Sequence, residues 1–217
     1  MARQRDDAGT RRSYGGLSSE ERAAQRRERL LEAALELFGT QGYAASPIER
    51  LCTEGGISTR SFYEEMGSRE ALLIALVDQI TSRAVQRALE VLANVRDQPL
   101  TVQVAECVRA YLEVTCHDRR SAKVCYVEVI GVSSAVEDWR REKRLLISGM
   151  LAREAEQSAA RGEISARRFD LFALAIIGAV NSLAQELVQT TDPGAEITLD
   201  EICDEIAYLV NYGLSAS

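Results

Sequence analysis

The sequence predicts an all-α protein: an N-terminal three-helix unit with a helix-turn-helix, followed by a larger helical domain. Three observations carry that prediction. Long stretches are rich in Ala, Leu, Glu and Arg, with only 3 prolines in 217 residues, and no sustained Val/Ile/Thr alternation bounded by turns reads as a strand. The length suits one small unit plus one sizeable second core. Residues 46–70, SPIERLCTEGGISTRSFYEEMGSRE, lay out two short helices joined by a glycine turn and delivered onto a third.

Taken in order, the chain opens on MARQRDDAGTRRSYGG, a charged arm over residues 1–17 with no apolar h-region, so neither a signal peptide nor a membrane anchor is expected there. The arm is either a disordered tail or an extension whose Arg11 and Arg12 reach DNA. In helix 1, Leu30, Leu31, Ala34, Leu35 and Phe38 recur along one side as core. Ser46, with Pro47 at the first helical position and Glu49 three residues on, predicts a capping box opening helix 2. Ile48, Leu51 and Cys52 give helix 2 an apolar stripe, and Gly55 and Gly56 supply the turn after it. Ser58 caps helix 3, whose first turn, Thr59, Arg60 and Ser61, carries no apolar residue while Ile57 and Phe62 anchor it inward. Gly67 ends helix 3, and Ser68 caps a fourth helix running from about Arg69 into ALLIALVDQI.

On these residues the stretch from Leu30 to Leu73 resembles the DNA-binding domain of TetR-family transcriptional regulators. Leu30, Ala34, Leu37, Phe38, Gly42, Tyr43, Leu51, Gly56, Ile57, Ser58, Tyr63, Arg69, Glu70 and Leu73 match at the family's spacing. Ser46-Pro47, Arg60, Met66 and Arg69 depart from its usual residues, which leaves the fold intact and operator specificity open. The domains implied are a DNA-binding unit over 18–67 and a ligand-binding and dimerisation domain over 68–217.

The formal charge of −7 is unusual for a DNA binder, and residues 1–70 hold 11 Arg and Lys against 12 Asp and Glu. Positive charge must therefore be local, on Arg60, on Arg69 and along Arg22, Arg26 and Arg29, with Glu32, Glu36, Glu64 and Glu65 turned elsewhere. The resemblance implies that Thr59, Arg60 and Ser61, following the Ser58 cap, face base edges in the major groove. Ser46, Tyr63 and Arg69 would contact phosphates. Tyr63 has a competing role packed against helix 1.

Beyond residue 90 the periodicity predicts helices over about 100–117, 121–132, 134–161, 166–190 and 198–213. Leu171 to Gln185 lacks any charge and is too short to span a membrane, so it reads as a buried helix. Ala175, Gly178, Ala179 and Ser182 permit close helix approach, and Ile202, Ile206, Leu209 and Val210 give the last helix a stripe. Dimerisation through these two helices is expected, although a monomeric bundle would show a similar pattern. The resemblance also implies a pocket for a small-molecule effector, for which the candidates are Tyr111, Tyr126, Glu128, Trp139, Met150, Phe172 and Asn181. Each has ordinary packing as its alternative. Glu128, inside VCYVEVIG, is expected to meet a cationic or hydroxylated ligand or to pair with an internal arginine, and Asn181 to serve either the interface or the pocket.

Five cysteines and one histidine argue against disulfide staples without supplying metal-ligand spacing, so no metal and no cofactor are expected. A redox thiol at Cys116 beside His117 competes with a cysteine acting as a small apolar residue. No phosphate loop, nucleophile elbow or metal motif supports catalysis, so no catalytic residue is assigned. The expected function is a cytoplasmic, homodimeric, ligand-released repressor of double-stranded operator DNA with no membrane association. The alternatives are a ligand-independent, architectural or activating DNA binder and a redox- or metal-responsive regulator, with a helical enzyme furthest from the sequence.

Overall fold

The structure, a computed structural model, describes residues 18–190 and 197–215; the predicted N-terminal arm, 1–17, lies outside them. Helix α1, Ser19–Gln41, opens on a capping box in which the Ser18 hydroxyl accepts the Glu21 N–H and the Glu21 carboxylate accepts the Ser18 N–H. Its buried side holds Leu30, Leu31, Ala34 and Phe38 of the stripe the sequence predicts, with Leu37 buried where Leu35, only partly buried, is expected. α2, Ile48–Gly55, and α3, Thr59–Met66, turn about Gly56, which sits at φ +61° in the left-handed region where a side chain is strained. Ser58 caps α3 through the Ser61 N–H, and Ser68 caps α4, Arg69–Asn94, through the Ala71 N–H.

One expectation fails at α2. Its first cap is Pro47 with no side-chain hydrogen bond, and Ser46 is fully buried, its hydroxyl donating to the Gly42 carbonyl at 2.8 Å. The tight turn after α1 leaves that carbonyl needing a donor inside the protein, and the serine meets this need instead of capping the helix.

α4 belongs to both halves of the molecule: its start packs on α1 and α3, and its length lies against α5, Leu100–Thr115. The expected helix over 121–132 is instead α6, Arg119–Lys123, running into a wider π turn, Val124–Glu128. That widening buries Val124, Cys125 and Tyr126 in succession, whereas three consecutive residues of an α-helix sweep about 200° of its surface. α7, Ser134–Ala160, α8, Phe169–Gln189, and α9, Leu199–Ser215, complete the described helices, with α7 on α8, α5 on α9 and α8 on α9.

α8 is apolar and long enough to cross a membrane by composition alone, yet it packs Phe169, Phe172, Ala173, Ile176, Val180, Ala184 and Val188 into the core. Leu171, Ala175 and Ser182 remain exposed or half-buried along its other side, and a Cβ on Gly178 would meet open space. On α9 the expected stripe faces inward: Ile202, Ile206 and Val210 are buried. Tyr208, Leu209 and Tyr212 form the open side, with the two tyrosine rings 4.4 Å apart. The bundle consumes that stripe internally because α9 must cover α5.

Candidate nucleic-acid interface and interior cavity

On α3, residues four apart share a face, and Thr59, Arg60, Tyr63 and Glu64 are all exposed, while Phe62 and Met66 are buried. Arg60 Nε donates to Glu64 at 2.8 Å in an exposed ion pair that water screens, so Glu64 is on the arginine's own face rather than turned away. Ser58 and Ser61 share a hydroxyl contact of 3.0 Å beside the helix start. Tyr63 is 53% exposed and meets the Phe62 ring edge-on at 5.6 Å, so its phenol is open to solvent rather than packed away.

The two other expected phosphate contacts are placed differently. Ser46 has no exposed side chain. Arg69 lies over the Tyr43 ring, 4.2 Å from its centroid, and donates to the Tyr43 and Ser46 carbonyls at 3.3 and 3.1 Å. Helix 1's arginines also serve the fold, since Arg26 joins Glu65 of α3 at 2.5 Å. In both cases a carboxylate or carbonyl inside the small domain competes for the cation, which periodicity alone does not reveal.

α4, α5, the π turn, α7 and α8 surround a partly open cavity of about 510 Å³. Tyr111, Tyr126, Trp139, Met150 and Asn181 of the sequence candidates line it. Asn181 spends its amide N–H on the Ile177 carbonyl at 2.7 Å, and the Tyr126 hydroxyl meets Thr115 Oγ1 at 2.7 Å. The remaining walls, which an emphasis on aromatic residues passes over, are aliphatic: Val77, Leu89, Val104, Val108, Ile147 and Leu151. Its charged lining is Arg140, Lys143, Arg144, Arg153 and Glu154; of these, Arg140 pairs with Glu137 at 2.7 Å, Lys143 with Asp78 at 2.5 Å and Glu154 with Arg96 at 2.6 Å. The run Arg140, Arg141, Lys143, Arg144 is the sequence signal for this lining; without a known partner helix it reads only as solvated surface.

Glu128 and Phe172 are corrected. Glu128 points out of the cavity, accepting the Tyr43 N–H at 2.6 Å and standing 3.3 Å from Lys123 Nζ, so its internal partners are a main-chain donor and a lysine. Phe172 lies between α8 and α9, its ring crowding Gly213 and sitting 5.4 Å from the Arg167 guanidinium. An aromatic or a carboxylate in an apolar run satisfies a helix seam and a pocket wall equally well, so the pattern does not separate them. Burial pushes the Cys107 and Cys116 thiols up to about 11, and Cys125 higher still, which opposes the thiolate a redox sensor needs. Among the described residues, no three His, Cys, Asp or Glu side chains gather as a metal site.

Comparison with known proteins places these features in one setting. The family model for "Bacterial regulatory proteins, tetR family" matches residues 30–76. The HTH-type transcriptional regulator UidR of Escherichia coli K12 is 25% identical over 142 residues, 64% of this chain and 69% of UidR. An HTH-type regulator of Bacillus subtilis, YerO, is 27% identical over 75 residues, 35% of this chain and only 26% of YerO. In three dimensions, the transcriptional regulator FadR of Bacillus subtilis, solved in complex with stearoyl-CoA, aligns with a TM-score of 0.72 at 16% identity, covering 86% of this chain and 98% of FadR.

Proposed function

We propose that the chain, whose residues 30–76 match the tetR family model, is a TetR-family transcriptional regulator: a dimeric repressor that binds a palindromic operator and is released by an amphipathic, anionic small molecule. Residues 18–67 are the DNA-binding unit, and 68–217 bind effector and partner. The observation that carries the DNA-binding reading is the exposed face of α3 bearing Thr59, Arg60 and Tyr63. Arg60 suits the O6 and N7 acceptors of guanine, Thr59 a thymine methyl, Ser61 a base edge, and the Tyr63 phenol a phosphate. Arg60 exchanges its exposed pairing with Glu64 for the base at little cost.

The effector class is read from the cavity. Its volume is that of a ligand site, its walls are largely aliphatic and aromatic, and its charge lies on α7, where Arg144 and Arg153 stand beside the ion-paired Arg140 and Lys143. An apolar chain fits the walls and an anionic head the cations. Stearoyl-CoA, bound by the FadR structure, has this chemistry, and we extend the class, acyl thioesters, to this chain. The open sides of α8 and α9, with Leu171, Ala175, Tyr208, Leu209 and Tyr212 exposed, are the proposed dimer surface.

Selection from a randomised duplex library at stated salt, with the mass of the complex in solution, tests the proposal. A dimer on two half-sites one helical turn or a multiple apart is expected, with release by acyl-CoA of increasing chain length. No enriched site would remove α3 as a base-reading element.

A further inference from the structure

The interior cavity and the DNA-binding unit meet at the π turn. Cys125, Tyr126 and Val129 line the cavity, while Glu128, lying among them in sequence, reaches the opposite way to the Tyr43 main chain. The carboxylate also occupies the space beside Gly42, where φ is +94° and a Cβ would stand 3.2 Å from Glu128 Oε2. Arg69 grips the same α1–α2 turn through the Tyr43 and Ser46 carbonyls. The turn that sets α2 and α3 is thus held jointly by the start of α4 and by a residue flanked by cavity wall.

We infer that Glu128 is a latch through which occupancy of the cavity is read by the α1–α2 turn: a ligand pressing on Tyr126 and Val129 draws the carboxylate off Tyr43. The inference rests on the cavity being the effector site proposed above. The Tyr126 hydroxyl is tied to Thr115, so pressure on the ring passes to the backbone instead of being absorbed by ring movement. α6 supplies a fixed point before the π turn, because Arg120 pairs with Glu36 at 2.6 Å and packs so closely on Gly39 that a Cβ there would collide with it. A π turn carries one residue more than the α geometry beside it, and losing that residue rotates the chain beyond it by about 100°. A bond made in one arrangement and absent in the other is the differential contact that lets a ligand shift an equilibrium.

The Tyr43 amide reports the latch directly. Its hydrogen exchange, read by NMR, is expected to be about tenfold faster in Glu128→Ala and near native in Glu128→Gln, whose amide oxygen still accepts. A static strut would behave the same way, so the cavity is perturbed separately. Val129→Phe forces a larger group against the cavity, and palmitoyl-CoA is the probe ligand, its binding followed by the fluorescence of Trp139, the chain's only tryptophan. Both are expected to speed Tyr43 exchange about tenfold in the native background and to change it little in Glu128→Ala. Native exchange at Tyr43 in folded Val129→Phe overturns the latch, as does palmitoyl-CoA binding without effect on Tyr43. Unchanged Trp139 fluorescence counts against the acyl-thioester class alone, and Val129→Phe still decides the latch. Should circular dichroism show Val129→Phe unfolded, Cys125→Leu on the same wall replaces it.

Discussion

Arg69 and Tyr43 are joined twice, by a guanidinium lying 4.2 Å from the ring centroid and by a hydrogen bond of 3.3 Å from Arg69 Nη1 to the Tyr43 carbonyl. The pair fastens the first turn of α4 to the loop between α1 and α2, with the Phe38 ring 5.2 Å from that of the tyrosine. A planar, forked cation suits this place because it stacks and donates at once, which an ammonium does not. Arg69→Lys is therefore expected to lower the melting temperature, with a loss of about 1–2 kcal/mol. An unchanged melting curve would show that the stack contributes nothing.

Arg60→Ala acts on a different face of the same unit. The side chain is almost fully exposed and its ion-pair partner, Glu64, is exposed as well, so folding stability should not change. Operator affinity should fall by roughly 1–3 kcal/mol with relaxed preference at one base position. Equal weakening across all sequences would reassign Arg60 to the backbone.

Tyr63→Phe keeps the edge-on contact with Phe62 and removes only the phenol oxygen. All operators should weaken alike, by about 1 kcal/mol, with the melting temperature held. Native affinity would leave Tyr63 as a packing residue.

For the cavity, the paired substitution Arg144→Ala and Arg153→Ala removes two of the four cations. Affinity for palmitoyl-CoA, followed by Trp139 fluorescence, should drop about tenfold or more, while an uncharged alcohol of equal chain length binds as before. Equal losses for both ligands would place the effect on cavity shape instead of charge.

Alkaline stability should depend on the half-buried Cys107 and Cys116 thiols. Cys107 and Cys116 are pushed up to about 11 by burial from an ordinary value of 9.0. A raised folded value means that the stabilising contribution is complete below about pH 9, where both states hold the proton, and is lost as pH climbs to about 11, because the unfolded chain ionises first. Urea melts between about pH 8 and 11 should show this decline, reduced in Cys107→Ala measured against its own neutral-pH value. Both thiols should also react slowly with iodoacetamide at about pH 7.5 in the folded protein.

The sequence by itself determined the helical class, the order of the elements and the α3 face. These come from local physics: Ser58 and Ser68 are side-chain caps, Gly56 takes positive φ, and most of the apolar spacing of α1 reappears as a buried stripe. Tertiary structure alone decided the destinations of groups with more than one way to be satisfied. Ser46 turned inward to a carbonyl, Arg69 to an aromatic ring and two carbonyls, Phe172 to the α8–α9 seam, and Glu128 to a main-chain N–H 85 residues away in sequence. A hydroxyl, cation, ring or carboxylate carries the same sequence signal whether its partner is a ligand, DNA or a distant backbone group. Only the packing of α4, α6 and the π turn against α1 brings one of those partners within reach.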